Sequence, residues 1–156
     1  MFVVGELLYN KKMEIKEYSS LDSNKRKEIT KKIKKTLSGR KDVVFACVFG
    51  SFIDSLSFRD IDIGIYLEKI DERKSLDYEL KLSKKIADAC GLPSDVIEVH
   101  ILNFVPDYFL NNVFCHGVLL FSRNQILTTS LIERTSLNAL ANECISDQSL
   151  RELISV

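Results

Sequence analysis

The sequence predicts an α/β (α+β) protein, with a small mixed β-sheet and helices packed mainly on one face of that sheet. Helical and strand patterns follow one another in the order α-β-turn-β-α-β-α-β-α along the 156 residues. One strand pattern is apolar throughout, and the next alternates apolar and polar residues after a short turn. We expect a single domain, with its core at about residues 22–125 and a helical extension over 126–156.

The first helix is predicted from about Asp22 to Leu37. Apolar residues recur there at every fourth position, and Lys or Arg fill the other faces. Ser38-Gly39 ends the pattern, since glycine commonly follows the last helical turn. The preceding residues 1–20 fit either a short hairpin around Tyr9-Asn10-Lys11 or a loosely attached arm.

Two strands are predicted next, over residues 43–49 and 60–67. The first reads VVFACVF, which is typical of a strand buried on both faces. Residues 50–58 form the turn between the two strands. The second strand reads DIDIGIYL, and because strand side chains alternate between faces, its isoleucines share one face while Asp60 and Asp62 begin the other.

The second half of the chain continues with a helix from about Ser75 to Cys90, which Gly91 and Pro93 stop. We expect this helix to bury a stripe formed by Leu76, Leu80, Ser83, Ala87 and Cys90, widened by Leu82 and Ile86. A third strand follows over residues 95–102, with Glu98 and His100 on one face. The remaining patterns predict a short helix over 106–112, a short strand over 118–121, a long helix over 124–143 and a final short helix that begins near Asp147.

The charge balance argues against a dedicated binder of long nucleic acid. Lys+Arg and Asp+Glu both number 22, whereas such binders usually carry a basic face. The stretch from Lys25 to Lys41 is nevertheless rich in Lys and Arg and contains one Glu. This stretch is either the solvated face of a helix, the simpler interpretation, or a local basic patch.

Cysteine spacing and hydropathy indicate a cytoplasmic protein without a membrane segment. The four cysteines lie far apart without a C-x-x-C pair, which favours reduced thiols and gives no zinc-ligand spacing. No apolar run reaches the length that spans a bilayer. The amino-terminal residues lack the basic region of a signal peptide, so we expect none.

Gly50-Ser51 and Asp60-Ile61-Asp62, at the two ends of the predicted turn, are the most informative feature. Gly50 lets backbone approach a phosphate closely, and Ser51 offers a hydroxyl and an N–H. The Asp60 and Asp62 carboxylates repel each other unless a cation lies between them, and Mg²⁺ prefers such oxygen ligands. The arrangement suits binding of a nucleoside triphosphate. It is neither a Walker loop, which needs Gly-Lys-Ser/Thr before a helix, nor a G-x-G-x-x-G fingerprint.

Glu98 is a candidate third acid. A carboxylate among strand hydrophobes is costly without a charged partner, and three carboxylates on neighbouring strands suit a two-metal site for phosphoryl transfer. Asp95, at the start of the same strand, is the alternative. His100 either reaches this site or is a partly buried structural histidine, the more common role.

Val48-Phe49-Gly50-Ser51 followed by Arg59-Asp60-Ile61-Asp62-Ile63 resembles the nucleotidyltransferase superfamily that includes DNA polymerase beta. Over roughly residues 40–125 the chain is most similar to the minimal nucleotidyltransferases, or MNT proteins, of archaea and bacteria. Residues 97–103 resemble the strand that carries the third acid of that family, and they place Glu98 at its position. The resemblance implies the polymerase beta-type fold.

The resemblance also implies roles for individual residues. Gly50 and Ser51 would bind the triphosphate, and Arg59 could add a positive charge there. Asp60, Asp62 and Glu98 would be the catalytic and metal-binding residues, with two Mg²⁺ ions, and Glu98 would help to deprotonate the attacking hydroxyl. The implied reaction transfers AMP from ATP to a protein hydroxyl, and the implied partner is a HEPN-type toxin for which this chain is the antitoxin.

The chain departs from the family pattern in ways that leave other functions open. Ile53, Asp54 and Ser55 stand where many members have Ala-Arg-Gly, Arg59 replaces a Ser, and the third acid is Glu rather than Asp. A catalytically weak or inactive module that docks to a partner or to a second copy of itself is therefore the alternative. Transfer to a small molecule is a third interpretation, although relatives of that kind generally carry a larger second helical domain.

Overall fold

Four strands form one mixed sheet in the order β3-β2-β1-β4. The strands are β1 (Val43–Phe49), β2 (Ile61–Leu67), β3 (Ile97–Ile101) and β4 (Val118–Ser122). β1 is antiparallel to both β2 and β4, whereas β2 and β3 are parallel. The structure is a computed structural model that describes residues 21–154, so the predicted hairpin or arm in residues 1–20 lies outside the described residues.

Within residues 21–154, five α-helices connect and flank the strands. They are α1 (Ser23–Ser38), the single turn α2 (Ser51–Asp54), α3 (Ser75–Cys90), α4 (Asp107–His116) and α5 (Gln125–Ile154), and 3₁₀ turns cover Glu72–Lys74 and Leu102–Phe104. The Asp22 side chain caps α1 by accepting the Lys25 N–H at 2.8 Å. Gly91 ends α3 in the left-handed conformation, with φ of 66°.

Apolar side chains cover both faces of the sheet. On one face, Ile33 of α1 and Ile86 of α3 pack with Ile63 of β2 in the larger core. On the other face, Phe45 of β1 packs with a smaller cluster that includes Leu110 of α4 and Leu131 of α5. The predicted mixed sheet and its fold class are confirmed, and the helices cover more of the second face than the sequence analysis expected.

Two details of the helices differ from the sequence analysis. α5 is continuous from Gln125 to Ile154, so the prediction of a separate helix near Asp147 was wrong; this stretch contains no Gly or Pro that would break it. Leu76 and Leu80 were expected on the buried stripe of α3 but are 66% and 63% exposed. The buried face of α3 instead follows Leu82, Ser83, Ile86, Ala87 and Cys90.

No helix in the described part of the chain combines the length and apolar character that crossing a bilayer requires.

β3 is an edge strand, and two side chains of α3 form hydrogen bonds with its backbone. The Val99 N–H donates to Oγ of Ser83 at 3.1 Å, and the Ile101 N–H donates to Oε1 of Glu79 at 2.8 Å. Both acceptors belong to α3. Because these bonds hold β3 along its outer edge, they also fix the side chains that β3 presents beside β2.

Candidate functional site

The sheet brings the ends of three strands together in one row. In the sheet register, Phe49 of β1 lies opposite Asp62 of β2, and Asp62 lies opposite Glu98 of β3. His100 follows two positions after Glu98 and therefore points to the same face. Asp62 and Glu98, which were predicted on neighbouring strands, are therefore direct neighbours in space.

Asp62, Glu98 and His100 form a compact group of potential metal ligands. One ligand atom from each residue lies within 4.8 Å of the others. Nε2 of His100 is 3.1 Å from Oδ1 of Asp62 and 3.7 Å from Oε2 of Glu98. The three side chains are 24%, 52% and 36% exposed, in the order Asp62, Glu98, His100, so the group is open to ions and substrates.

Asp60 lies immediately before β2 and is not a member of this compact group. Its charge nevertheless acts on the same place. Partial burial, with the charges of Asp62 and Asp95, raises the pKa of Asp60 against the opposing effect of Arg59. Asp60 is therefore close enough to interact electrostatically with Asp62.

Repulsion among the carboxylates is also visible at Glu98. Partial burial and the charges of Asp60 and Asp62 raise the pKa of Glu98, and His100 opposes this shift. A bound cation would relieve this repulsion. Carboxylate oxygens suit Mg²⁺, and an imidazole also suits transition metals such as Mn²⁺, so the donor set fits a divalent cation.

The sequence left open whether His100 reaches the acidic group or is a partly buried structural histidine. In the structure its ring contacts Asp62. Its hydrogen bond with Asp62 raises the pKa of His100, although burial acts in the opposite direction. The ring centroid is 5.6 Å from that of Phe49, which packs beside it. Strand periodicity placed His100 on the correct face, but the contact with Asp62 depends on the register between β2 and β3.

Gly50 lies against the carboxylate of Asp62. Its φ of 75° is in the region that favours glycine, and a Cβ built at this position would overlap Oδ2 of Asp62 and lie 3.3 Å from its Cγ. The glycine therefore permits the backbone of the turn to approach the acidic group.

Ser51, which follows Gly50, begins α2 and is exposed. The N–H groups of Ile53 and Asp54 donate to the Gly50 carbonyl at 3.0 and 3.1 Å. The predicted turn over residues 50–58 thus contains one helical turn directly after the glycine. Gly50, which precedes this helical turn, is the residue that lies against Asp62.

The other two candidates lie at the margins of the group. Arg59 is exposed and acts electrostatically on the adjacent Asp60. Asp95, the alternative third acid, is exposed and lies outside the compact ligand group. Together with Glu98 it lines a groove of about 570 Å³ between β3 and α3. The geometry therefore favours Glu98 over Asp95 as the third acid.

Sequence reasoning missed Arg26, whose side chain contacts the turn over residues 50–58. Its guanidinium bonds to carbonyls of the turn from a helix that is more than twenty residues earlier in the chain. Arg26 is one of many Lys and Arg residues in α1, so composition gave no signal that distinguished it from them.

Comparisons with known proteins agree with this geometry. The sequence model of the family described as polymerase beta, nucleotidyltransferase, matches residues 31–126, which is more than half of the chain. That segment contains Gly50, Asp62, Glu98 and His100. No curated protein matches the chain significantly.

Similar solved structures come from toxin–antitoxin complexes. A chain of the tri-AMPylated Shewanella oneidensis HEPN toxin in complex with MNT antitoxin has a TM-score of 0.56 at 17% identity, covering 84% of this chain and 99% of that chain. A toxin–antitoxin structure with AMP-PNP gives 0.57 at 18% identity, covering 81% and 98%. An MntA–HepT complex gives 0.52 at 15% identity, covering 86% and 100%.

At these identities the structural likeness shows a shared fold. The family match adds the sequence relationship, over the same segment that carries the turn and the acidic group. The chain therefore belongs to the polymerase beta nucleotidyltransferase family.

Proposed function

We propose that this protein transfers AMP from ATP to a hydroxyl group of a partner protein, and that the partner is a HEPN-type toxin which the transfer inactivates. The observation that carries the proposal is the contact between Gly50 and Asp62 beside Glu98 and His100. This contact joins a turn suited to phosphate with a group suited to a divalent cation. The reaction would take place in the cytoplasm, where ATP is available.

Each residue of the site has a role in this reaction. Gly50 and Ser51 would hold the β- and γ-phosphates, with Arg59 adding positive charge nearby. Asp60 and Asp62 would hold two Mg²⁺ ions, and Glu98 would complete their ligands. Bound Mg²⁺ would neutralise charge on the phosphates and on the leaving pyrophosphate.

Side chains of this protein would carry out the proton transfer and orient the metal ligands. Glu98 would accept the proton of the attacking hydroxyl, because its carboxylate lies beside Asp62 at the place where the proposed cation and phosphates would bind. His100 would hold Asp62 in orientation through the 3.1 Å hydrogen bond, and its imidazole would join the carboxylates as a ligand when a cation binds. Positioning and charge stabilisation account for most of the rate enhancement in phosphoryl transfer.

The structural neighbours support the choice of nucleotide and partner. One similar structure contains a tri-AMPylated HEPN toxin with its MNT antitoxin, and another contains AMP-PNP. The sequence predicts a single small domain, which suits an acceptor hydroxyl that belongs to a partner macromolecule.

Calorimetric titration with ATP and Mg²⁺ tests the first half of the proposal. The wild-type chain should bind ATP only with Mg²⁺, and the double variant Asp60→Asn/Asp62→Asn should not. Lack of metal-dependent binding by the wild type would refute the enzyme function. Incubation with labelled ATP and the protein encoded by the adjacent gene then tests the acceptor, since label should appear on that protein.

A binding module without turnover is the second candidate. The observation that favours it is the composition of the turn, where Asp54 and Ser55 stand in place of the Arg and the Gly of many relatives. In that case the chain would bind its partner stoichiometrically and no label would transfer. The same labelling experiment, run with a pull-down of the partner, separates the two functions.

A further inference from the structure

The guanidinium of Arg26 extends from α1 into the turn over residues 50–58. Nη1 donates to the carbonyl oxygens of Phe52 at 2.8 Å and Ser55 at 2.7 Å, and Nη2 donates to that of Leu56. One side chain thereby bonds three backbone carbonyls of the turn. The planar fork of arginine can make such divergent bonds, whereas a lysine ammonium cannot reproduce their geometry.

Two aromatic rings pack against the same guanidinium. Its central carbon lies 4.9 Å from the ring centroid of Phe58 and 5.6 Å from that of Phe52. The two rings contact each other edge to face, with centroids 4.9 Å apart. Both phenylalanines are almost fully buried, at 2% and 3% exposure. Arg26 therefore packs against both of the buried phenylalanines that hold the turn on the core.

Arg26 is also bonded to the residues just before α1. Nε of its guanidinium donates to the Leu21 carbonyl at 3.3 Å, and its backbone N–H donates to the carbonyl of Asp22, the capping residue of α1, at 3.1 Å. α1 itself is anchored in the larger core through Ile33, which is fully buried. The contacts thus connect the turn to a helix that is fixed on the sheet.

The turn has few means of holding its own shape. It contains no Lys or Arg between residues 50 and 58, and α2 is a single helical turn, which is too short to be stable alone. We propose that Arg26 is the positioning residue of the nucleotide site, which holds the turn so that Gly50 stays against Asp62. This inference rests on the proposed function, because it assigns the turn to binding of the ATP phosphates.

The experiment compares the wild type with Arg26→Met and Arg26→Lys. Methionine keeps an unbranched chain against the two rings but donates no hydrogen bonds. Lys27→Met is the matched control, since Lys27 is the exposed neighbour on the same helix. Amide hydrogen exchange of residues 51–56, affinity for ATP with Mg²⁺ by calorimetry, and thermal unfolding are measured on all four proteins.

In Arg26→Met the amides of the turn should exchange at least roughly tenfold faster, while those of β1 and β2 stay unchanged. ATP affinity should fall by roughly ten- to a hundredfold, because small displacements of a positioned group have effects of that size. Arg26→Lys should recover part of the affinity, and Lys27→Met should match the wild type. Such an effect, confined to the turn and to ATP, is not expected of a residue that only stabilises the fold.

Three outcomes would overturn the inference. The first is unchanged exchange and ATP affinity in Arg26→Met; the second is an equal loss in Lys27→Met. The third is faster exchange throughout the chain, because Arg26 would then support the whole fold. If the wild type binds no ATP, the proposed function fails first, and the exchange data alone still decide whether Arg26 holds the turn.

Discussion

Oδ2 of Asp62 packs so closely against Gly50 that a methyl group at residue 50 would overlap the carboxylate. Backbone from the turn and a carboxylate from β2 are thereby held in contact. In the proposed reaction, a phosphate and its cation would bind at this point.

Gly50→Ala should abolish detectable AMP transfer, because the new methyl group displaces Asp62 and the backbone resists a φ of 75°. Backbone strain should also lower the free energy of unfolding by about 1–3 kcal/mol, because φ of 75° with ψ of −159° is a region that essentially only glycine adopts. Gly91→Ala is the control for a positive φ without a contact: Gly91 has φ of 66° and ψ of 31°, with open space around it. That variant should lose about 1–2 kcal/mol of stability and keep its ATP binding and transfer. Equal activity in the two variants would contradict the role of the contact.

Glu98→Gln should reduce the rate of transfer by roughly 10²–10⁴-fold, the range expected for loss of a general base. Without Mg²⁺ the same variant should unfold at a slightly higher temperature than the wild type, because the charges of Asp60 and Asp62 no longer act on a carboxylate there. Adding Mg²⁺ should stabilise the wild type more than the variant. Glu133→Gln, an exposed change on α5, should alter none of these values. A variant that transfers AMP at the wild-type rate would remove Glu98 from the mechanism.

His100→Gln should change which metal the site prefers. An imidazole beside two carboxylates favours Mn²⁺ over Mg²⁺ more than an all-oxygen group does. We therefore expect the variant to lose more affinity for Mn²⁺ than for Mg²⁺ in calorimetric titrations. His116→Gln, at the end of α4, is the control and should bind both ions as the wild type does. Equal losses for the two ions would mean that His100 only orients Asp62.

Tyr78→Phe should make the protein less stable in a manner that depends on pH. The Tyr78 hydroxyl donates to Oδ2 of Asp42 at 2.5 Å, and Arg40 lies 3.4 Å from the same oxygen. Burial raises the pKa of Asp42, but the hydrogen bonds from Tyr78 and Arg40 outweigh it and lower the pKa overall. Because the folded pKa lies below the unfolded one, this stabilisation is present above the unfolded value and is lost as pH falls through the folded value.

The wild type should therefore exceed Tyr78→Phe by about 1 kcal/mol in urea unfolding at pH 6. The difference should shrink once the pH falls below about 4, the ordinary pKa at which Asp42 of the unfolded chain takes up a proton. Tyr108→Phe is the control, because Tyr108 is 75% exposed. This variant should have the stability of the wild type at every pH. A difference that stays constant down to pH 2.5 would show that Asp42 is not the partner that matters.

Local patterns predicted the part of the site that lies on strands. Alternation in β2 and β3 placed Asp62, Glu98 and His100 on one face, because the period of a strand fixes its side-chain directions. The predicted second strand began at Asp60, one residue before the observed start of β2 at Ile61.

Contacts between distant elements could not be predicted in the same way. Arg26 reaches its carbonyl partners across about thirty residues of sequence, and no periodicity relates a helix to a turn that far away. The exposure of Leu76 and Leu80 depends on how α3 is rotated against the sheet, which a broad apolar stripe leaves undetermined. The continuity of α5 was missed for a different reason, since polar residues near Asp147 resembled a boundary although nothing there interrupts a helix.

Ser83 and Glu79 of α3 accept the N–H groups that β3 directs away from β2. An incoming strand would need those donors, so the edge next to Glu98 is protected against β-strand addition and against edge-to-edge aggregation. Under the proposed function, a protein that presents its hydroxyl to Glu98 would consequently be recognised by its side chains and shape, and not by extension of the sheet. The same two side chains that fix the strand of Glu98 therefore restrict the ways in which a partner can approach it.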